Sequence, residues 1–314
     1  MRDHLAHPKS RRAVIALTLL TCMWGTTFII VQNALPDVSP VLFAITRFVI
    51  ALGLFLIFFP AARTAIRILF APKNADERRF RANGTVLGVT LAVGYIFQFM
   101  GLLTTTTSKS AFLTATTVLW TPIFSRIIGH EMLTARKIIT VLAAATGIVL
   151  LTHPFPVEKV VIGDIFSALC AVSFGLYILW LDKTSPLAAA VAKSESDAAV
   201  MIGTIQLSVG LVLLLVVMPL VETPHIAFTS NATFAILYTA ILATAVSTFV
   251  QSYYQKEITP TSATLIYTLE PVVTALIGFV IVGEHMSAVE FGGCGLIIAA
   301  MLAGVVFGPS SEMP

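Results

Sequence analysis

The sequence predicts an all-α membrane protein of ten transmembrane helices in two inverted five-helix repeats. Three observations carry this expectation. Of 314 residues, 57% are hydrophobic and only 11% charged, less than half the roughly 25% charged share of ordinary soluble domains. The apolar residues fall into ten runs, each close to the ~20 residues needed to cross about 30 Å of hydrocarbon. The loops between those runs carry a one-sided excess of Lys and Arg, the mark of membrane orientation. With 19 basic and 16 acidic residues, the chain cannot solvate a soluble globule of its size. A disordered chain, a nucleic-acid binder and a disulfide scaffold are excluded as well. Cys22, Cys170 and Cys294 lie far apart within apolar runs, without CxxC spacing, so packing is their expected use.

The first run, Ala13 to Gln32, follows a basic segment at residues 1–12. It is longer than the 7–15 residue core of a signal peptide and lacks a small-x-small exit, so it reads as the first span. The other nine spans are expected at 40–59, 84–103, 109–128, 135–152, 161–181, 198–218, 232–252, 261–281 and 288–307. Breaks fall at turn chemistry: Pro36-Asp37, Pro60, Pro72, Pro154-Phe155-Pro156, Pro186, Pro219, Pro224 and Pro260. The short Thr104–Ser108 connection makes its flanking spans antiparallel neighbours. The implied organisation is a tail at 1–12, a first repeat at 13–152, a second at 161–307 and a tail at 308–314.

With the N-terminus placed in the cytoplasm, cytoplasmic segments hold 16 Lys and Arg residues and the opposite side two, Lys109 and Lys159. Such a bias predicts an even number of spans and both tails inside, in the cell membrane. The second half repeats the first. Gln98, Glu131 and Thr134 map onto Gln251, Glu284 and Ser287 at a constant offset of 153. Trp24-Gly25 corresponds to Phe174-Gly175, and Arg47 to Gln206, at nearby offsets. Because five is odd, the halves must run in opposite senses. Many secondary transporters build a central site this way.

The stretch FQFMGLLTTTTSKSAFLTA (97–115) with GHEMLT (129–134) resembles the first half of an EamA-type member of the drug/metabolite transporter superfamily. TSATLIYTLEPVVTALIGFVIVGEHMS (261–287) resembles the second half, while MWGTTFI (23–29) and ITRFVIALGLFL (45–56) are similar to its first two spans. The resemblance covers about residues 13–307. It implies ten helices, an inverted five-plus-five repeat, and export or exchange of small metabolites, with no substrate specified. The expected partners are a small-molecule substrate and the lipid bilayer; proton coupling and a homodimer stay open, and no cofactor is called for.

Two ionisable residues lie deep in expected spans, Arg47 in the second and Glu270 in the ninth. An intramembrane charge costs roughly 2.5–3.5 kcal/mol on insertion scales, so each should face protein interior or a wet cavity. A structural Arg47 would cap carbonyls or pair with an acid. A functional Glu270 would bind substrate or couple protons. Tyr267, Glu270 and Thr274 share a helical face, and Pro271 should bend the helix and free the Tyr267 carbonyl. Further polar candidates are Trp24 in the first span, Tyr95 and Gln98 in the third, Thr114, Thr117 and Trp120 in the fourth, and Thr244, Ser247, Thr248 and Gln251 in the eighth. Such stripes serve either as interhelical glue or as the lining of a polar cavity. Glu131 and Glu284 read as structural turn acids, Glu131 pairing with Arg136 or Lys137, and Ser287 to Glu290 as a capping box.

No metal spacing, Walker A, Rossmann glycine run or GxSxG is present. A polytopic membrane enzyme would gather His, Asp or Arg at one face, and no such cluster is visible. A scaffold or sensor would need neither Arg47 nor Glu270 at depth.

Overall fold

In the computed structural model, residues 8–105, 107–128, 131–152, 160–283 and 285–306 are described. The expected end of the first tail at 1–7, the Pro154-Phe155-Pro156 turn with Lys159, Glu284 and the 308–314 tail lie outside them. Most of the described residues are helical: α1 Pro8–Ala34, α2 Pro40–Phe58, α3 Pro60–Phe70, α4 Ala75–Leu102, α5 Thr107–Ala115, α6 Thr117–Ile127, α7 Ala135–Thr152, α8 Ile162–Val191, α9 Glu195–Val221, α10 Ser230–Ala240, α11 Ser247–Tyr254, α12 Pro260–Tyr267, α13 Leu269–Ile277 and α14 Ala288–Val306. A π-helical segment, Ile241–Val246, joins α10 to α11, and a second, Gly278–Val282, extends α13.

Among the described residues, nine helical segments are long and apolar enough to cross a membrane: α1, α2, α4, α7, α8, α9, α10 with α11, α12 with α13, and α14. The expected fourth span is occupied instead by two short helices, α5 and α6, broken at Thr116. Residues 107–127 carry eight Ser or Thr plus Lys109 and Arg126, so the stretch is too polar to register as a span by composition.

The described chain forms two compact units, each drawing on both sequence halves. Unit one takes residues from 1–26, 100–179 and 257–314, and unit two from 27–99 and 180–256.

Unit one is built on close backbone approaches at glycine. A Cβ on Gly147 would sit 2.7 Å from Ile297, and one on Gly293 would sit 2.6 Å from the Leu151 nitrogen, so α7 and α14 pack backbone to backbone. A Cβ on Gly25 would meet Val273 at 2.8 Å, and one on Gly175 would meet Trp120 Cβ at 3.0 Å. Gly25 and Gly175 are the residues paired between the sequence halves, and Trp120 and Val273 stand 153 apart. Glu131 makes one of the expected pairings: Lys137 Nζ lies 2.8 Å from it, and Thr261 Oγ1 donates to it at 2.7 Å, tying it to the start of α12. The Ser287–Glu290 capping box also forms, with the Ser287 N–H donating to Glu290 at 2.6 Å and the Glu290 N–H to Ser287 Oγ at 3.3 Å.

In unit two, α9 is the hub. A Cβ on Gly84 of α4 would meet Ile205 at 2.8 Å and one on Gly88 would meet Val209 at 2.7 Å, which explains that GxxxG spacing as a helix contact. Phe55 and Phe48 of α2 fill the space over Gly203 and Gly210 of α9. At one end, Glu222 accepts the Val41 and Leu42 N–H groups at 2.9 and 2.8 Å, capping α2. At the other, α3 buries a stripe of Ala61, Ala62, Ala65 and Ile68 against α9. A bidentate pair, Arg67 to Glu77 at 2.9 and 2.8 Å, ties α3 to α4. With 28 residues, α4 is ~42 Å long at 1.5 Å per residue. Its polar first turns therefore project beyond a 30 Å core, with Glu77 outside the membrane. There the Arg67 hydrogen bonds, then the Lys73 N–H, hold the Glu77 carboxyl well below the usual carboxylate range, at about 2.

Candidate functional site

The twelve candidate residues divide between the units, seven in unit one and five in unit two.

In unit one, the expected bend near Pro271 is a break. α12 ends at Tyr267, Thr268 adopts φ −65 and ψ −9, and α13 starts at Leu269. Pro271 therefore sits in the first turn of a new helix, where its missing N–H costs no hydrogen bond. Sequence alone placed it inside one bent helix. The break is fastened on both sides: Thr268 Oγ1 donates to Leu265 O at 2.6 Å, and Thr274 Oγ1 lies 3.0 Å from both Gly25 O and Glu270 O. Trp24 and Tyr267 meet with ring centroids 5.2 Å apart. The first and ninth expected spans thus bring Trp24, Tyr267, Glu270 and Thr274 together.

Glu270 differs from its neighbours. It is half-buried, in the first turn of α13, where the partial positive charge of a helix N-terminus favours a carboxylate. Its backbone carbonyl accepts from Thr274, but among the described residues no hydrogen bond or ion pair reaches its carboxylate. A carboxylate at that depth with no protein partner is set to receive a ligand, water or a proton.

The other candidates of unit one line α8. Thr117 Oγ1 lies 2.7 Å from Thr114 O and 3.2 Å from Ala171 O, and Thr114 Oγ1 stands 3.9 Å from Cys170 Sγ. Trp120 stacks on Phe124 at 6.1 Å and packs over Gly175. The hydroxyls of Thr114 and Thr117 are thus spent on helix contacts.

In unit two, Arg47 is buried, 6% exposed. Its Nε donates to Thr244 Oγ1 at 3.1 Å and an Nη to Ala243 O at 3.4 Å. Its guanidinium carbon lies 5.4 Å from the Tyr95 ring centroid and 5.9 Å from that of Phe43. All these partners are neutral, so of the two structural options the carbonyl cap is realised. The acceptor is the π-helical segment 241–246, where Thr244 Oγ1 donates five residues back to Thr239 O at 2.9 Å. A π-turn loosens the ladder and leaves carbonyls to be met from outside. Ser247 and Gln251 follow on α11, both buried, with Gln251 Nε2 donating to Gln255 Oε1 at 3.1 Å. Gln98 is half-buried on α4 one turn beyond Tyr95.

Sequence reasoning missed three features: the π-segment, the Thr116 break and Gln206. Gln206 is fully buried on α9, and both polar atoms of its amide are without partners among the described residues. No proline or glycine marks residues 239–247, so the π-segment left no local sign. The alignment of Arg47 with Gln206 was the one available pointer to the latter.

A multi-span helical membrane protein with an unpartnered carboxylate at a broken helix is the class these features define. The sequence profile of the EamA-like transporter family matches residues 11–153 and again 161–305, and the chain belongs to that family. It is 28% identical over 290 residues to a protein of Archaeoglobus fulgidus (strain ATCC 49558) described as an uncharacterized transporter, covering 92% of this chain and 84% of that one. A solved crystal structure matches with a TM-score of 0.72 at 17% identity, covering 94% of this chain and 96% of the other, and shows the shared fold. Two family repeats and a transporter relative point to transport rather than to enzyme chemistry.

Proposed function

We propose that this chain is a secondary transporter, an exporter or exchanger. It moves a small metabolite, such as an amino acid or a drug-like molecule, across the cytoplasmic membrane by alternating access, with both termini inside. The observation that carries the reading is Glu270: a carboxylate without a protein partner among the described residues, in the first turn of a half-helix, beside Tyr267 and Trp24. Discontinuous helices at depth are where secondary transporters place substrate and coupling sites. The inverted-repeat reading, with α5 and α6 completing a tenth span, draws support from two correspondences. Gly25 meets Val273 as Gly175 meets Trp120, and Thr116 and Thr268 break their helices 152 residues apart.

The role proposed for Glu270 is to hold a substrate amine or to exchange a proton against substrate. The test is counterflow of labelled amino acids and cationic drugs in proteoliposomes, with substrates ranked first by overflow and resistance in cells. Saturable counterflow of at least one substrate class, sensitive to Glu270, is expected. Uptake no faster than in protein-free liposomes, for substrates that the protein makes cells export, would overturn the reading.

A further inference from the structure

The α3–α4 corner of unit two is a basic surface that the transport reading leaves unused. Residues 60–82 contain Arg63, Arg67, Lys73, Arg78, Arg79 and Arg81 against only Asp76 and Glu77. Glu77 is committed to Arg67 by the bidentate pair, to the Lys73 N–H at 2.7 Å, and to the start of α4 through Asn74. That leaves five cations and one acid. Arg63, Lys73, Arg78 and Arg79 are exposed, and among the described residues the one acid that any of them faces is Glu77, beside Lys73, which Arg67 already holds. Exposed apolar side chains flank them at both ends of α3: Ile57 and Phe58 at 68% and 67%, and Phe70 at 79% exposure. The opposite stripe of α3 is buried, so its orientation is fixed.

We propose that this corner is a binding site for anionic phospholipid headgroups. The exposed cations meet the phosphates, and Phe58 and Phe70 enter the acyl boundary beside them. Cations adjoining exposed aromatics suit an interface that is charged above and apolar below. The Arg67–Glu77 clasp supplies rigidity, because it joins the two helices that carry the cations. The proposal needs only that the chain is membrane-embedded, and its readout is lipid retention, so it stands or falls apart from the transport reading.

The test is native mass spectrometry of the full chain from micelles titrated with phosphatidylglycerol or phosphatidylcholine. Thermal melts in nanodiscs of each lipid are the second measurement. Wild type should retain phosphatidylglycerol selectively and melt higher in it, with the gain shrinking in salt as screening shortens to about 3 Å at 1 M. The double variant Arg78→Gln/Arg79→Gln should bind phosphatidylglycerol roughly 25-fold more weakly, about fivefold per cation. Arg78→Lys/Arg79→Lys should retain it, which separates lost charge from lost folding. Equal retention of both lipids, or unchanged affinity in the Gln variant, would overturn the proposal. So would equal stabilisation of wild type by inorganic phosphate or poly-glutamate, which would assign the surface to soluble anions.

Discussion

Arg47 and Glu270 are two intramembrane charges treated in opposite ways. Arg47 is buried, its Nε and one Nη are hydrogen-bonded, and two aromatic rings flank its guanidinium. Glu270 is half-buried at a helix start, and among the described residues nothing donates to its carboxylate. Both residue types are costly in hydrocarbon. The arginine's cost is offset within the protein; the glutamate's is offset only by a helix terminus and by whatever enters beside it. One charge is therefore part of the framework, and the other is available to a ligand. Depth alone, which is all the sequence gives, makes them look equivalent.

The strongest way to break this comparison is Glu270→Gln. The amide keeps the shape and removes the charge, and no protein hydrogen bond to the carboxylate is lost with it. Melting should stay near wild type while flux falls at least tenfold, and any pH dependence of flux should flatten. Proteoliposome rates measured from pH 5 to 9 decide this. An unchanged rate and profile would make Glu270 a structural acid.

Arg47→Leu should do the reverse, losing expression and stability before transport. It removes the donors that Thr244 Oγ1 and Ala243 O accept, and a buried acceptor left unmet costs about 1–3 kcal/mol, although Thr244 keeps its own bond to Thr239 O. Arg47→Lys should recover part of the loss, because an ammonium reaches one acceptor but has no planar fork. Detergent melting curves of both variants, set beside flux normalised to folded protein, sharpen the contrast. A stable Arg47→Leu variant with no flux would move Arg47 into the site.

Much of this architecture was legible because bilayers impose length. Spans α2, α7 and α14 fall within a few residues of the expected runs, and prolines or polar turns delimit them. At the position of the expected fourth span the structure has two short helices, α5 and α6, in a stretch rich in Ser and Thr. Within the site, the shared face of Tyr267, Glu270 and Thr274 followed from helical periodicity, whereas the contact of Trp24 with Tyr267 did not. What periodicity could not show was hydrogen-bond bookkeeping. Pro271 signals a disturbance but not whether the helix bends or restarts, and a π-segment such as 241–246 leaves no residue signature. The orphaned amide of Gln206 depends on neighbours far away in sequence.

A smaller effect is expected from the paired glycines of unit one. Gly25→Ala puts a Cβ 2.8 Å from Val273 and 3.1 Å from Glu270 O, so α13 must shift, whereas Gly175→Ala meets Trp120 Cβ at 3.0 Å. Overpacking of this kind costs about 1–3 kcal/mol, so both should lower the melting temperature. Only Gly25→Ala disturbs the backbone carrying Glu270. Its flux per folded molecule should drop severalfold, with Gly175→Ala closer to wild type. Equal losses would place the two halves on the same footing in the transport step.

The smallest effect is expected at Glu77, the partnered carboxylate that serves as a counterpoint to Glu270. Its carboxyl is held at about 2 by the Arg67 guanidinium and the Lys73 N–H, below the ~4.3 of a free glutamate. A depressed carboxylate contributes stability that is complete above the unfolded value and lost as pH falls through the folded one. Glu77 should therefore stabilise α3 against α4 throughout the neutral range, with its contribution fading from about pH 5 towards pH 2. Glu77→Gln removes that contribution at neutral pH, so its melting temperature should sit slightly below wild type at pH 7, and the gap should close on acidification. Its flux per folded molecule and the pH profile of that flux should stay as in wild type, because the clasp lies outside the membrane. The two carboxylates then separate cleanly: one moves stability with pH and leaves flux alone, and the other moves flux with pH and leaves stability alone. A Glu77→Gln variant whose flux loses its pH dependence would show that the coupling acid had been placed at the wrong carboxylate.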